Sequence, residues 1–165
     1  MKTFITTPIA VFLSICLNGL QAQTTQVKLN QVELIKQYIS NWKGEVGKDT
    51  TAFWDIKLNG TVLECNFKYV TKDKIVMEGK QLWGYDKKVD KFILSSITNG
   101  MDTGTSAFWF TSKNKSIIIP FSDISNPEKA IFRLEMEFKS PVIFIQKTIV
   151  NNNLVKTFTF DRVKN

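Results

Sequence analysis

The chain contains no histidine. That removes the Ser-His-Asp triad, the Cys-His pair and any histidine-based zinc site. Acid–base chemistry without histidine falls to carboxylates, lysine or tyrosine. Cysteine is nearly as scarce, with Cys16 and Cys65 the only two. Cys16 sits in an N-terminal segment read below as cleaved, so Cys65 would stand alone. One cysteine closes no disulfide within a chain and builds no thiolate cluster. A lone exposed thiol is a liability in an oxidising compartment, so Cys65 is expected in the core. Arginine occurs only at Arg133 and Arg162, and the lysines are dispersed among acidic residues. A nucleic-acid groove shows a denser basic stripe with interleaved aromatics. The net charge of +7 therefore points to solubility or weak attraction to anionic surfaces, not to nucleic acid. Calcium-loop, phosphate-loop and dinucleotide fingerprints are all missing, as are internal repeats. No cofactor or metal is expected. Asn59-Gly60-Thr61 and Asn114-Lys115-Ser116 match the glycosylation pattern and read as turns.

One apolar run stands out. The chain starts MKTFITTPIAVFLSICLNGLQA, with Lys2 as the positive end, an apolar stretch after it, and Leu20-Gln21-Ala22 at its close. This is the pattern of a secretory signal cut after Ala22. The stretch is too short to cross about 30 Å of hydrocarbon. A lipid anchor on Cys16 is the lesser alternative, because Ile15 stands where a small residue would precede the cysteine. The expected organisation is a signal peptide at 1–22, a flexible lead-in at 23–30 and one β domain at 31–165. The expected location is periplasmic or secreted, with no transmembrane segment in the mature chain.

Residues 31–42, QVELIKQYISNW, carry apolar side chains at helical spacing: Val32, Ile35, Tyr38, Ile39 and Trp42. Asn30 is placed to cap this helix, Glu33 to complete a capping box, and Gly44 to end it. After that the period changes to two. In residues 62–70, Leu63, Cys65, Phe67 and Tyr69 alternate with Glu64, Asn66 and Lys68. In residues 130–138, Phe132, Leu134, Met136 and Phe138 alternate with Arg133, Glu135 and Glu137. Each is a strand with one wet face. Further strands are expected at 53–58, 75–83, 92–98, 105–111, 116–121, 142–150 and 154–163. Asn59-Gly60 marks a tight hairpin. About nine short strands without a βαβ pattern predict a mostly-β fold, an antiparallel up-and-down β-barrel with a short N-terminal helix. An open or sandwich-like sheet is the alternative.

The stretch LWGYDKKVDKF (residues 82–92) reads as a strand end and a wet hairpin tip, with Gly84, Tyr85 and Asp86 as the turn. Asp86 has no partner base or nucleophile beside it. The longer segment GKQLWGYDKKVDKFILSSITNGMDTG (residues 79–104) resembles a family of uncharacterised bacterial lipocalin-like domains. The likeness falls on Gly84, Tyr85, Asp86, Lys87 and Phe92, then Gly100, Met101 and Gly104. Trp42-Lys43-Gly44 looks like the Trp-x-Gly that opens lipocalin-type barrels. The resemblance implies a closed lipocalin-like barrel and, by analogy alone, a binding function. Some relatives of such barrels bind haem through a histidine, which is missing here. Met77, Met101, Met136, Tyr85 and Cys65 are the remaining iron-ligating types, and each reads as a core or loop side chain.

Aromatic residues are plentiful, with thirteen Phe, four Trp and three Tyr. Most are needed to fill a core. Phe53-Trp54 and Phe108-Trp109-Phe110 put rings on both faces of their strands, so one ring of each set must leave the core or be covered. A pocket lined by Trp109, Phe121, Phe132 and Phe144, with Trp83 and Tyr85 at its mouth, would suit a small apolar or amphipathic ligand. The expected function is thus an exported, non-enzymatic binding protein. The alternative is an envelope module that docks a partner protein through its helix or an exposed aromatic patch. An enzyme using carboxylates or Tyr85 ranks third, and no residue is named catalytic.

Overall fold

The computed structural model describes residues 28–100 and 103–163. The signal reading of 1–22 with Cys16, most of the lead-in at 23–30, and Met101 lie outside the described residues. A short helix α1 (Gln31–Leu34) continues into a 3-10 turn (Ile35–Tyr38). Ten strands follow: β1 (Ser40–Gly47), β2 (Thr50–Asn59), β3 (Val62–Thr71), β4 (Lys74–Asp86), β5 (Lys91–Thr98), β6 (Gly104–Phe110), β7 (Lys115–Pro120), β8 (Phe132–Ser140), β9 (Ile143–Val150) and β10 (Asn153–Val163). Each pairs antiparallel with the next, and β10 pairs back onto β1 to close the barrel.

The tenth strand is β1, which takes the last three residues of the expected helix, Ser40–Trp42. Asn30 does cap the helix start, its carboxamide oxygen accepting from Glu33 N at 3.1 Å. Ile39, however, is already extended, with ψ 103°. Trp42 satisfies both periods, because it is four residues from Tyr38 and also alternates with Asn41 and Lys43. Pairing with β2 and β10 decides between them, since a barrel without β1 would leave two open edges. At the β2–β3 hairpin, Asn59 still pairs with Val62, so Gly60-Thr61 is the loop and Gly60 takes the left-handed φ of 63°.

The helical segment closes one end of the barrel. Its buried side chains are Gln31, Ile35 and Tyr38, while Val32 faces outward. Gln31 pairs with the end of β6, beyond its last partner on β5: its Nε2 donates to Phe110 O at 3.1 Å and its Oε1 accepts from Phe110 N at 2.7 Å. The plug therefore meets the barrel through a strand-like pair of bonds. Replacing Gln31 by alanine strands a buried N–H and a buried C=O, at a cost of about 2 kcal/mol. Urea unfolding of Gln31→Ala, compared with Gln31→Glu at low pH, measures it.

Inside, Tyr38 stands at the centre of the core. Its ring meets Trp83, Phe108, Phe138 and Phe144 edge-on at centroid distances of 5.8, 5.7, 4.8 and 5.6 Å. Its hydroxyl bonds Ser116 Oγ at 2.8 Å, so the buried phenol is not left unpaired. Cys65 is buried on the same inner face. A smaller core forms on the outside, where residues 121–131 fold over β6 and β7 and cover Ala107 and Ile119 with Ala130 and Ile124. Ion pairs are spread over the outer face, among exposed apolar residues such as Leu82 and Ile97: Lys57 pairs with Asp55, Lys80 with Glu64, Arg133 with Glu135 and Lys139 with Glu137. A membrane-spanning barrel instead carries an apolar outer band. Among the described residues no helix is long and apolar enough to cross a membrane.

Candidate functional site

The strand directions give the barrel a plugged end, under the helix, and a far end, where β1, β3, β5, β7 and β9 finish. Above Tyr38 and toward the far end the packing is incomplete. A cavity of about 200 Å³ remains, walled by Trp54, Phe67, Tyr69, Met77, Trp83 and Leu134, with Gln146 on its β9 side. These side chains come from five strands, β2, β3, β4, β8 and β9. Each is on the inward set of its strand, and pairing sets which of them meet: Phe67 opposes Trp54, Tyr69 opposes Met77, and Met136 opposes Gln146.

The site is uncharged. Its polar groups are Tyr69, Cys65, Thr98, Gln81 and Gln146, together with the Tyr38 hydroxyl already held by Ser116. Gln81 Oε1 accepts from Trp83 Nε1 at 3.2 Å. Burial raises the Tyr69 phenol above its ordinary range, against a lowering contact from Trp54. Burial, followed by the nearby Asp55 carboxylate, pushes the Cys65 thiol up to about 12. A group kept neutral by the fold stabilises it fully below its unfolded pKa, near 9.0 for this thiol, and that stability is lost as pH rises toward 12. The urea midpoint should therefore fall above about pH 9, and Cys65→Ala should flatten part of the fall. The remaining slope belongs to Tyr38 and Tyr69, which burial also holds protonated. The same burial predicts that Ellman's reagent reaches Cys65 only on unfolding.

A larger concavity of about 880 Å³ lies on the outer face across β1–β5, between Lys43, Phe53 and Lys68 on one side and Asn41, Asp55 and Lys80 on the other. It is an open groove. Its cations are engaged: Lys68 lies 5.4 Å from the Phe53 ring centroid, and Lys80 holds Glu64. The interior cavity is smaller but less open and more aromatic, which is the better setting for a small apolar molecule.

The structure separates the sequence-predicted site residues. Trp83 lines the cavity. Phe144 lies in the packed core, stacked on Phe160 at 4.8 Å with its plane 7° away. Trp109 is on the outer face, because Phe108 and Phe110 take the inward positions of β6. Its ring joins the outer core, and Lys91 lies 4.8 Å from its centroid. Phe121 and Phe132 are exposed at the far end, at 43% and 40%. Gly84, Tyr85 and Asp86 do not form the turn: they finish β4, paired with Ile93, Phe92 and Lys91. The turn begins at Lys87, where Asp86 Oδ1 accepts from Lys88 N at 2.8 Å. Tyr85 donates to the Asp90 carboxylate, and its ring packs on Phe92.

No protein-family model and no curated protein matches this chain. What stands is the fold, a compact closed antiparallel barrel that resembles lipocalin-type barrels and has an aromatic-lined interior. Of these walls only Trp83 is among the sequence-predicted site residues; Trp54, Phe67, Tyr69, Met77, Leu134 and Gln146 are not. The inward face of Phe67, Tyr69 and Leu134 is legible from alternation, but which inward residues meet around one space is set by strand register, which alternation does not encode. Among the described residues no group of three or more Cys, Asp or Glu side chains is placed to hold a metal ion.

Proposed function

We propose that this chain is an exported, non-enzymatic binding protein of the lipocalin-like type, holding a small apolar or amphipathic ligand inside the barrel. The observation that carries the reading is the aromatic interior cavity above Tyr38 in an otherwise well-packed core. Close packing is the rule for protein interiors, so an unfilled space of about 200 Å³ is costly unless something occupies it. Its walls offer apolar contact and a few polar groups, the usual composition of a small-molecule site. Native mass spectrometry of protein purified gently from its own envelope, followed by organic extraction, tests the reading. The expected result is a reproducible added mass that is released on unfolding. An apo mass from every gentle preparation would count against it. Export is tested on the same sample, whose N-terminus should be Gln23.

A second reading is favoured by one observation. Phe132, Leu154 and Val155 are exposed at the far-end starts of β8 and β10, which flank β9, with Ile131 exposed just before β8; Ile75 and Val76 are exposed at the far-end start of β4, across the barrel. Exposed apolar residues at one end of a barrel suit an envelope partner protein. Under this reading the purified protein stays apo and captures a partner that a Val76→Lys, Leu154→Lys variant releases.

A further inference from the structure

The Gln146 side chain is the least satisfied polar group on the cavity wall. It is only 6% exposed, and its carboxamide oxygen has no hydrogen-bond partner. A buried acceptor left open costs free energy, so such groups are normally paired with protein, water or a ligand. Its neighbours in the sheet give it nothing: Gln146 lies between Met136 on β8 and Phe158 on β10. The other interior glutamine, Gln81, is already paired with the Trp83 indole. The last torsion of a glutamine is soft, so the free oxygen can turn into the cavity at little cost.

Size and charge narrow the occupant. A cavity of about 200 Å³ is below the usual range for drug-sized ligands and somewhat larger than a dry cavity of about 150 Å³ that takes benzene. No charged side chain lines it among the described residues. A carboxylate or ammonium would lose its hydration there without a counter-ion. Flat rings suit the Trp54, Phe67 and Trp83 walls.

We infer that the cavity takes an uncharged, single-ring molecule bearing one hydroxyl or N–H donor, and that Gln146 is the residue that selects the donor. This deepens the binding function proposed above and rests on it. The test uses p-cresol and toluene, which differ in the one hydroxyl, with the wild-type protein and Gln146→Met, a change that keeps the side-chain volume. Titration is followed by the fluorescence of Trp54 and Trp83. The expected result is that Gln146→Met weakens p-cresol about tenfold relative to its effect on toluene, the worth of one buried hydrogen bond. If Gln146→Met does not fold, the Gln146 side-chain amide resonances of the wild-type protein decide. They should shift with p-cresol and stay in place with toluene. Equal effects on the two probes, or an unmoved amide, would overturn the role of Gln146. Failure of both probes to bind, alongside a larger adduct in native mass spectrometry, would overturn the single-ring class and leave the binding function intact. Failure of both probes with an apo mass would overturn the two together.

Discussion

Trp42→Ala should lower the unfolding free energy by about 4 kcal/mol, the range for a buried tryptophan whose site cannot collapse. Trp42 is 1% exposed and joins the plug to the barrel. Its Nε1 donates to Tyr38 O at 2.8 Å, and its ring meets Phe144 edge-on at 4.9 Å. On its other side the Arg162 guanidinium lies 4.8 Å from the ring centroid, while Arg162 Nη2 donates to Gln37 O at 2.8 Å. One side chain therefore supports two carbonyls of the 3-10 turn, one directly and one through Arg162. Removing it should also loosen the plug, so amide exchange at residues 31–38 should rise more than at β3. Trp42→Phe keeps most of the packing and loses the N–H, at about 1 kcal/mol. Denaturant midpoints for the two variants separate packing from hydrogen bonding.

Gly79→Ala should cost about 3 kcal/mol, the upper part of the range for overpacking. Gly79 is inward on β4, opposite Phe67 and Thr98. A Cβ there would overlap the Ile97 carbonyl oxygen and the Phe67 ring. The ring can swing away but the neighbouring strand's backbone cannot. Phe67 covers the glycine from the cavity side, an aromatic shielding a bare backbone position. Displacing that ring pushes it into the cavity, so the variant should bind p-cresol and toluene more weakly as well. Gly84 is the control, five residues on in the same strand, with nothing within 4 Å of its would-be Cβ. Gly84→Ala should be neutral or stabilising by about 0.5 kcal/mol through the unfolded chain. Thermal melts of the two variants side by side make the comparison.

Those two glycines show what the chain reveals and what it hides. Both stand in an alternating stretch, and nothing local distinguishes a glycine demanded by a crossing carbonyl from one with open space. Alternation in β3 and β8 was enough to place Cys65, Phe67, Met136 and Phe138 inside and Glu135 and Glu137 outside, where the two carboxylates pair with Arg133 and Lys139. The antiparallel order and the closure followed from many short strands and short turns. The start of β1 at residues 40–42 is hidden because Tyr38 and Trp42 fit a helix, and only partners distant in sequence, β2 and β10, favour a strand. Trp109 was read toward the pocket because its cover, the irregular stretch 121–131, has no period to reveal where it folds. Gln31 and Gln146 gave no signal: a polar residue on an apolar face looks like noise until the groups around it are known. The cavity is a property of register and of side-chain sizes at one height, and neither is local.

The most direct test of the central claim, that the barrel interior is an accessible site and not a filled core, is a crystal structure collected under xenon pressure. Xenon enters apolar cavities of this size without needing the natural ligand's shape. The predicted result is a xenon peak bounded by Trp54, Phe67, Trp83 and Leu134, next to Gln146, with the surrounding side chains unmoved. An interior without xenon, with these side chains collapsed into contact, would contradict it.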